Sequence, residues 1–347
     1  MQLFTYTKKF QLESGQSFSK LEIAYTTYGK LNSDASNVIW VCHALTANSN
    51  VFDWWPGLFG KDDFFNPEDY FIICANNLGS CYGSTGPLSI NDDVNEPWFN
   101  YFPQITIKDM AASLELLRQH LKIKKIHTLI GGSQGGQIAQ EWVLLNNLVT
   151  ENLILIATNA QHSPWGIAFN ESQRLAIKAD RTYNSNCMDG GKKGLVAARS
   201  IALLSYRNYN TYAQTQNDET HLKIDNYKAS SYQNYQGQKL MERFNAYSYV
   251  RLLQAMDSHN IARNRCYSIE TALLDINIPT LVIGIKSDIL FPPQEQKLLA
   301  KYIKQSEFVE IDSFYGHDGF LLETEQITNH IKKFYQSKNS KQKVLAF

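Results

Sequence analysis

Residues 126–142 read Ile126-His127-Thr128-Leu129-Ile130-Gly131-Gly132-Ser133-Gln134-Gly135-Gly136-Gln137-Ile138-Ala139-Gln140-Glu141-Trp142. An apolar, β-branched run meets a helical pattern through G-x-S-x-G, so a strand is expected to turn sharply into a helix at Ser133. Such a turn holds its serine in a strained conformation, and the flanking glycines let neighbouring backbone approach closely. The hydroxyl then projects at the carboxyl edge of a sheet and at a helix N-terminus, where partial positive charge favours a developing anion. A glycine-rich phosphate loop is the competing reading. Neither G-x-G-x-x-G nor G-x-x-x-x-G-K-[ST] fits, which favours the nucleophile turn.

Working outward, similar apolar runs recur. Asn37 to Cys42, Tyr70 to Ala75, Ile126 to Ile130, Leu153 to Ala157, Thr280 to Ile285 and Phe308 to Ile311 are short and mostly apolar, as in a parallel sheet covered on both faces. Leu21 to Gly29 reads as an antiparallel hairpin partner at the sheet's edge. Met110, Leu114, Leu117 and Leu121 mark an amphipathic helix, preceded by a capping box at Thr106-Ile107-Lys108-Asp109. Between Gln161 and Asn277 no strand is expected; helices are expected over 194–206 and 239–256, around a polar Tyr/Asn/Gln-rich patch. The chain then returns to complete the sheet. This predicts an α/β core formed by residues 1–160 and 277–347, with 161–276 a helical lid over the sheet's carboxyl edge. The tail beyond Gln336 is expected to fray.

The 347 residues, 44% of them apolar, suffice for a large core. Net charge is zero, which argues against nucleic acid or an anionic membrane as the main partner. The N-terminal residues do not resemble a signal peptide, and no apolar run reaches the ~18 residues of a membrane span. Five scattered cysteines (Cys42, Cys74, Cys81, Cys187 and Cys266), with no C-x-x-C, suggest a reduced cytoplasmic protein without a zinc framework.

A serine hydroxyl needs a base to take its proton, and the base needs a partner to fix its tautomer. After a G-x-S-x-G turn the acid and then the histidine follow in the chain. Of the eight histidines, His317 follows a strand, between two glycines in Gly316-His317-Asp318-Gly319. It is the expected base. Asp288 follows the strand ending at Ile285, where such sheets gather their sites, and is the expected acid, with Asp312 and Asp318 as competitors. The oxyanion hole is expected from the backbone N–H groups of Gln134 and Leu45, the latter in His43-Ala44-Leu45-Thr46 after an early strand. His43 is expected to fix that loop.

Taken together, His43-Ala44-Leu45-Thr46, Asn77-Leu78-Gly79-Ser80-Cys81-Tyr82-Gly83-Ser84-Thr85-Gly86-Pro87, the Ser133 turn and Gly316-His317-Asp318-Gly319-Phe320 resemble the homoserine O-acetyltransferases of methionine biosynthesis. Ser163-Pro164-Trp165, Ala198-Arg199, Leu204-Ser205-Tyr206-Arg207, Tyr235-Gln236-Gly237 and Arg243-Phe244 are similar to that family's lid. The resemblance implies an α/β-hydrolase fold and a ping-pong reaction in which Ser133 carries acetyl from acetyl-CoA, a co-substrate, to L-homoserine. It implies no metal and no resident cofactor. It places Arg199 on the amino acid's α-carboxylate and Asp318 on its α-ammonium, and suggests a homodimer formed through the lid. Sister activities with succinyl-CoA or L-serine, or an esterase of the same fold, are the alternatives. The chain departs from the family pattern at Ala47-Asn48-Ser49-Asn50, at Asn245 and Tyr247, and in a short stretch from Tyr183 to Lys193. All three departures are expected around the acyl or amino-acid pocket.

Overall fold

The computed structural model of the chain describes residues 1–265 and 268–345, with side chains as far as Lys338, so Cys266 lies outside the described residues. Among these residues the main sheet has eight strands: β1 (Gln2–Tyr6), β2 (Leu21–Tyr28), β3 (Val38–Cys42), β4 (Phe71–Ala75), β5 (Thr128–Gly132), β6 (Leu153–Ile156), β7 (Thr280–Ile285) and β8 (Ser306–Ile311). Their spatial order is β1-β2-β4-β3-β5-β6-β7-β8. Strand β2 runs antiparallel to β1 and β4, and every other pairing is parallel.

The uninterrupted apolar runs are explained by burial on both faces. In β3, Val38, Trp40 and Cys42 join one core cluster while Ile39 and Val41 join the other. Leu153 and Leu155 are divided from Ile154 and Ile156 in the same way. Helix α1 (Ile107–His120) starts at the expected capping box: the Thr106 hydroxyl accepts the Asp109 N–H at 3.2 Å, and the Asp109 carboxylate accepts the Thr106 N–H at 2.8 Å. Helix α2 (Gln134–Leu145) follows the serine turn directly.

Between β6 and β7 the chain is helical: α3 (Pro164–Ala179), α4 (Lys192–Tyr206), α5 (Tyr209–Thr215), α6 (Lys228–Met241), α7 (Ala246–Asp257) and a short turn of helix at Ile269–Leu274. Helices α8 (Pro293–Tyr302) and α9 (Thr324–Leu345) complete the layers.

Four expectations are corrected. Leu21–Tyr28 is antiparallel to its neighbours as expected but lies second from the edge, because Gln2–Tyr6 pairs outside it with Phe4 opposite Ile23. The strand before the elbow spans Thr128–Gly132 and takes in both glycines, while Ile126 makes only an isolated bridge to Thr150. The single helix expected over 239–256 is two helices. Asn245 is extended (φ −111°, ψ 152°) and its side chain caps α7 by accepting the Ser248 N–H at 2.7 Å. Apolar spacing continues across the break through Leu240, Phe244 and Tyr247, all buried, so periodicity gave no signal of it. Helix α9 also persists beyond Gln336 to Leu345, with Ser337 bonded to Glu307 at 2.9 Å and Lys338 to Asn152 at 2.7 Å.

Candidate active site

Ser133 stands at φ 56°, ψ −127°, a region populated almost solely by glycine. The turn is held from both sides: its N–H donates to the Ile156 carbonyl at 3.0 Å, and its own carbonyl accepts the Thr158 hydroxyl at 2.8 Å. Gly135 is required by close approach, since a Cβ there would stand 2.0 Å from the Cys42 carbonyl oxygen. These contacts fix the direction of the Ser133 hydroxyl.

The three residues read as a triad meet there. His317 Nε2 lies 2.9 Å from Ser133 Oγ, and Nδ1 lies 2.6 Å from Asp288 Oδ2. A carboxylate can only accept, so Nδ1 carries the proton and Nε2 is left to accept from the serine. The other Asp288 oxygen accepts the N–H groups of Leu290 and Phe291 at 2.8 and 2.9 Å, which fixes the carboxylate's rotation. Gly316 makes the histidine loop possible: its φ is +64°, and a Cβ would press on the Tyr206 carbonyl at 3.0 Å. The imidazole is packed by Phe291, Phe320 and Tyr206, at centroid distances of 5.0, 5.3 and 5.9 Å. Burial alone would lower the His317 pKa, but the Asp288 charge and hydrogen bond outweigh it, and the group sits above its ordinary value. Of the competing acids, Asp312 is exposed and pairs with Lys286 at 3.3 Å, away from the ring.

Of the two expected oxyanion donors, Leu45 lines the cleft with Ser133 and Gln134 follows the serine directly. Neither the Leu45 N–H nor the Gln134 N–H makes a backbone or side-chain hydrogen bond among the described residues, and Gln134 opens α2. His43 serves as the loop anchor. Its Nε2 accepts the Asn77 N–H at 3.0 Å, its Nδ1 lies 2.8 Å from the Ala44 carbonyl, and burial pushes its pKa down to about 4. Asn77 in turn reaches the Gln134 side chain at 3.4 Å, so one buried network ties the two loops together.

Above the triad is a cleft of about 430 Å³ whose lining includes Leu45, Ser133, Arg199, His317 and Asp318. Arg199, on α4, lies over the Tyr206 ring with its guanidinium carbon 5.1 Å from the centroid. Its Nη1 is buried and has no hydrogen-bond partner among the described residues. An unpaired buried donor of this kind is costly, and a carboxylate in the cleft would satisfy it. Asp318 brings the opposite charge to the same cleft. Arg207 lies 2.7 Å from Asp318 Oδ2, an ion pair by distance without aligned hydrogen-bond geometry. Sequence reading assigned no role to Tyr206, Arg207 or Asn77. For Tyr206 a signal existed, since it lies seven residues, two helical turns, after Arg199.

The family model for the alpha/beta hydrolase fold matches residues 37–324. A homoserine O-acetyltransferase from Cyclobacterium marinum is 48% identical to this chain over 97% of the chain and 96% of the relative. The chain belongs to the homoserine O-acetyltransferase family. The crystal structure of the Bacillus anthracis homoserine O-acetyltransferase superposes with a TM-score of 0.87 at 26% identity, covering 96% of each chain. An acetylester hydrolase from Corynebacterium glutamicum also superposes, with a TM-score of 0.85 at 22% identity over 96% of each chain, a likeness of fold alone.

Within this family pattern, the departures divide. Ala47 and Asn48 do line the cleft. Tyr247 does not: it stacks on Tyr183 at 5.2 Å, its hydroxyl donates to the Cys187 carbonyl at 3.2 Å, and a Cβ on Gly190 would meet that hydroxyl at 2.0 Å. The larger side chain and the short stretch from Tyr183 to Lys193 therefore pack against each other. Asn245 acts as a helix cap. Two of the three departures thus concern packing of the helical insertion and lie outside the cleft lining.

Proposed function

We propose that the chain transfers an acetyl group from acetyl-CoA to the hydroxyl of L-homoserine through an acetyl-Ser133 intermediate. Ser133 Oγ attacks the thioester carbonyl while His317 Nε2 takes its proton. The C–S bond then breaks, and the departing sulfur takes that proton and leaves as free CoA thiol. Homoserine's hydroxyl next gives its proton to Nε2 and attacks the acyl carbon. The bond to Ser133 Oγ breaks and the serine is reprotonated. Each tetrahedral oxyanion is assigned to the Leu45 and Gln134 N–H groups. This route calls on no resident cofactor, because nucleophile, base and charge stabilisation all come from the chain.

The observation that carries the choice of acceptor is the orphaned Arg199 Nη1 with Asp318 in the same cleft as the triad. A cation and an anion in one cleft suit the carboxylate and ammonium of a free amino acid, which a simple ester lacks. Arg199→Ala is expected to lower kcat/KM for homoserine about 100-fold, the cost of losing a charge-assisted pair in a desolvated site. The burst of thiol that reports acetyl-Ser133 formation should change only a few-fold. Equal losses in both half-reactions would remove Arg199 from the acceptor site.

The helical insertion at 161–276 is read as a lid on the core formed by 1–160 and 277–347, and shielding of the acyl-serine from water favours transfer over hydrolysis. Exposed Tyr209, Leu222 and Ile224 on this insertion support a homodimer formed through it, which a solution mass of twice 39.6 kDa would verify. The cytoplasm, where acyl-CoA thioesters are held, is the compartment this reading implies. Among the described residues, no helix is long and apolar enough to cross a membrane.

The raised His317 pKa fixes the acid limb of the pH profile. The base must be neutral to accept a proton, so acylation should fall as pH drops through a value above the ordinary 6.5. Glu295, in the first turn of α8, accepts from Asn159 at 2.9 Å, is pushed up to about 7 by burial, and adds to the field that raises His317. Glu295→Gln removes a charge that holds the imidazolium, so the acid limb of kcat/KM should move to lower pH. An unmoved or upward-shifted limb would contradict this coupling.

A further inference from the structure

The cleft over Ser133 carries two cations that the acetyl-transfer chemistry does not use. Lys239 lies in the last turn of α6, and Arg243 follows four residues later, just beyond the helix end; both line the same cleft as Ser133 and His317. Both are exposed at the cleft's mouth, and neither has a carboxylate within ion-pair distance among the described residues. The Arg243 Nη1 donates to the Thr46 carbonyl at 2.6 Å and to the Tyr82 hydroxyl, which holds the guanidinium in place and leaves Nε and Nη2 uncommitted. Lys239 makes no hydrogen bond or ion pair among the described residues.

The other charged groups of the cleft are accounted for differently. Asp318 is paired with Arg207, and Arg199 lies deeper, over Tyr206. Asp53, the remaining carboxylate of the lining, accepts from the Asn50 side chain. The floor thus offers one site for each charge of an amino acid, while the mouth offers a held guanidinium and a free ammonium.

We propose that Lys239 and Arg243 dock the phosphate groups of the acyl-thioester donor. This deepens the reading that the donor is acetyl-CoA, and rests on it. An acyl-CoA has an uncharged arm between its thioester and its phosphates, so the acyl carbon reaches Ser133 while the phosphates stay at the water-exposed mouth. A guanidinium fork suits phosphate oxygens, and a mobile ammonium adds a point charge beside it. Arg243 also bonds the carbonyl of Thr46, next to Leu45, so donor docking and an oxyanion N–H share one loop.

The test compares acetyl-CoA with S-acetylpantetheine, which keeps the thioester and arm but has no phosphate, using thiol release and acetylhomoserine as readouts. In Lys239→Gln the ratio of kcat/KM for acetyl-CoA to that for S-acetylpantetheine should fall about fivefold, and in Lys239→Glu about tenfold or more. Lys239→Arg should restore it. Added salt should lower kcat/KM for acetyl-CoA more steeply in the wild type than in Lys239→Gln. An unchanged ratio in both Lys239→Gln and Lys239→Glu, or an equal loss with the two donors, would overturn the proposal and leave Lys239 as a charge balancing the end of α6. A wild-type protein that takes acetyl from neither donor would overturn the acetyl-transfer reading itself, a result distinct from an unchanged ratio.

Discussion

Replacing Ser133 with alanine is expected to lower acetyl transfer about 10⁶-fold, the scale at which a serine nucleophile and its base act as one unit. His317 Nε2, 2.9 Å from the hydroxyl, would have no proton to take, and the acyl group no atom to occupy. The fold should persist. The turn is held by backbone contacts to Ile156 and Thr158 that alanine leaves intact. A second variant separates chemistry from strain. Ser133→Gly relieves a φ of 56° at a non-glycine position, so it should be more stable than Ser133→Ala by about 1 kcal/mol while being equally inactive. Thiol release and product mass measure the first effect, and denaturant unfolding the second. Substantial turnover by Ser133→Ala would remove the acyl-serine route.

Asp288→Asn is expected to cost about 10⁴-fold in acylation, through the wrong histidine tautomer. The surroundings of Asp288 make this outcome specific. Oδ1 accepts two backbone N–H groups, at 2.8 and 2.9 Å, so the asparagine's oxygen will take that position and its NH₂ will face His317. Nδ1 must then accept, the proton moves to Nε2, and Nε2 can no longer take the serine's proton. Loss of the carboxylate charge also removes the main influence raising the His317 pKa. A loss of less than tenfold would mean that another group orients His317.

What the sequence made legible was local. The Ser133 turn, the capping box at Thr106 and the apolar strands each follow from a few neighbouring residues and their backbone rules. Chain order then selected Asp288 and His317, because this kind of turn restricts where its partners follow. Longer-range matters were not legible in the same way. Strand β1 alternates too weakly to announce itself and is defined by pairing with β2. The break between α6 and α7 is concealed by apolar spacing that continues across it. Tyr247, a departure that pointed to the cleft by alignment with the family pattern, proves to fill space beside Tyr183.

By itself, then, the sequence determined the fold class, the strained serine turn and the chain order of Ser133, Asp288 and His317, since these rest on backbone conformation and short-range pattern. Only the tertiary structure decided the charges of the cleft. Arg199, Arg207 and Asp318 are brought together from the C-terminal half and C-cap of α4 and from the histidine loop, and nothing in their spacing reveals that Asp318 is paired or that Arg199 Nη1 is not. The same holds for Lys239 and Arg243 at the mouth. Electrostatic partnership depends on distance in space, and in this chain the residues concerned are separated by up to about a third of its length.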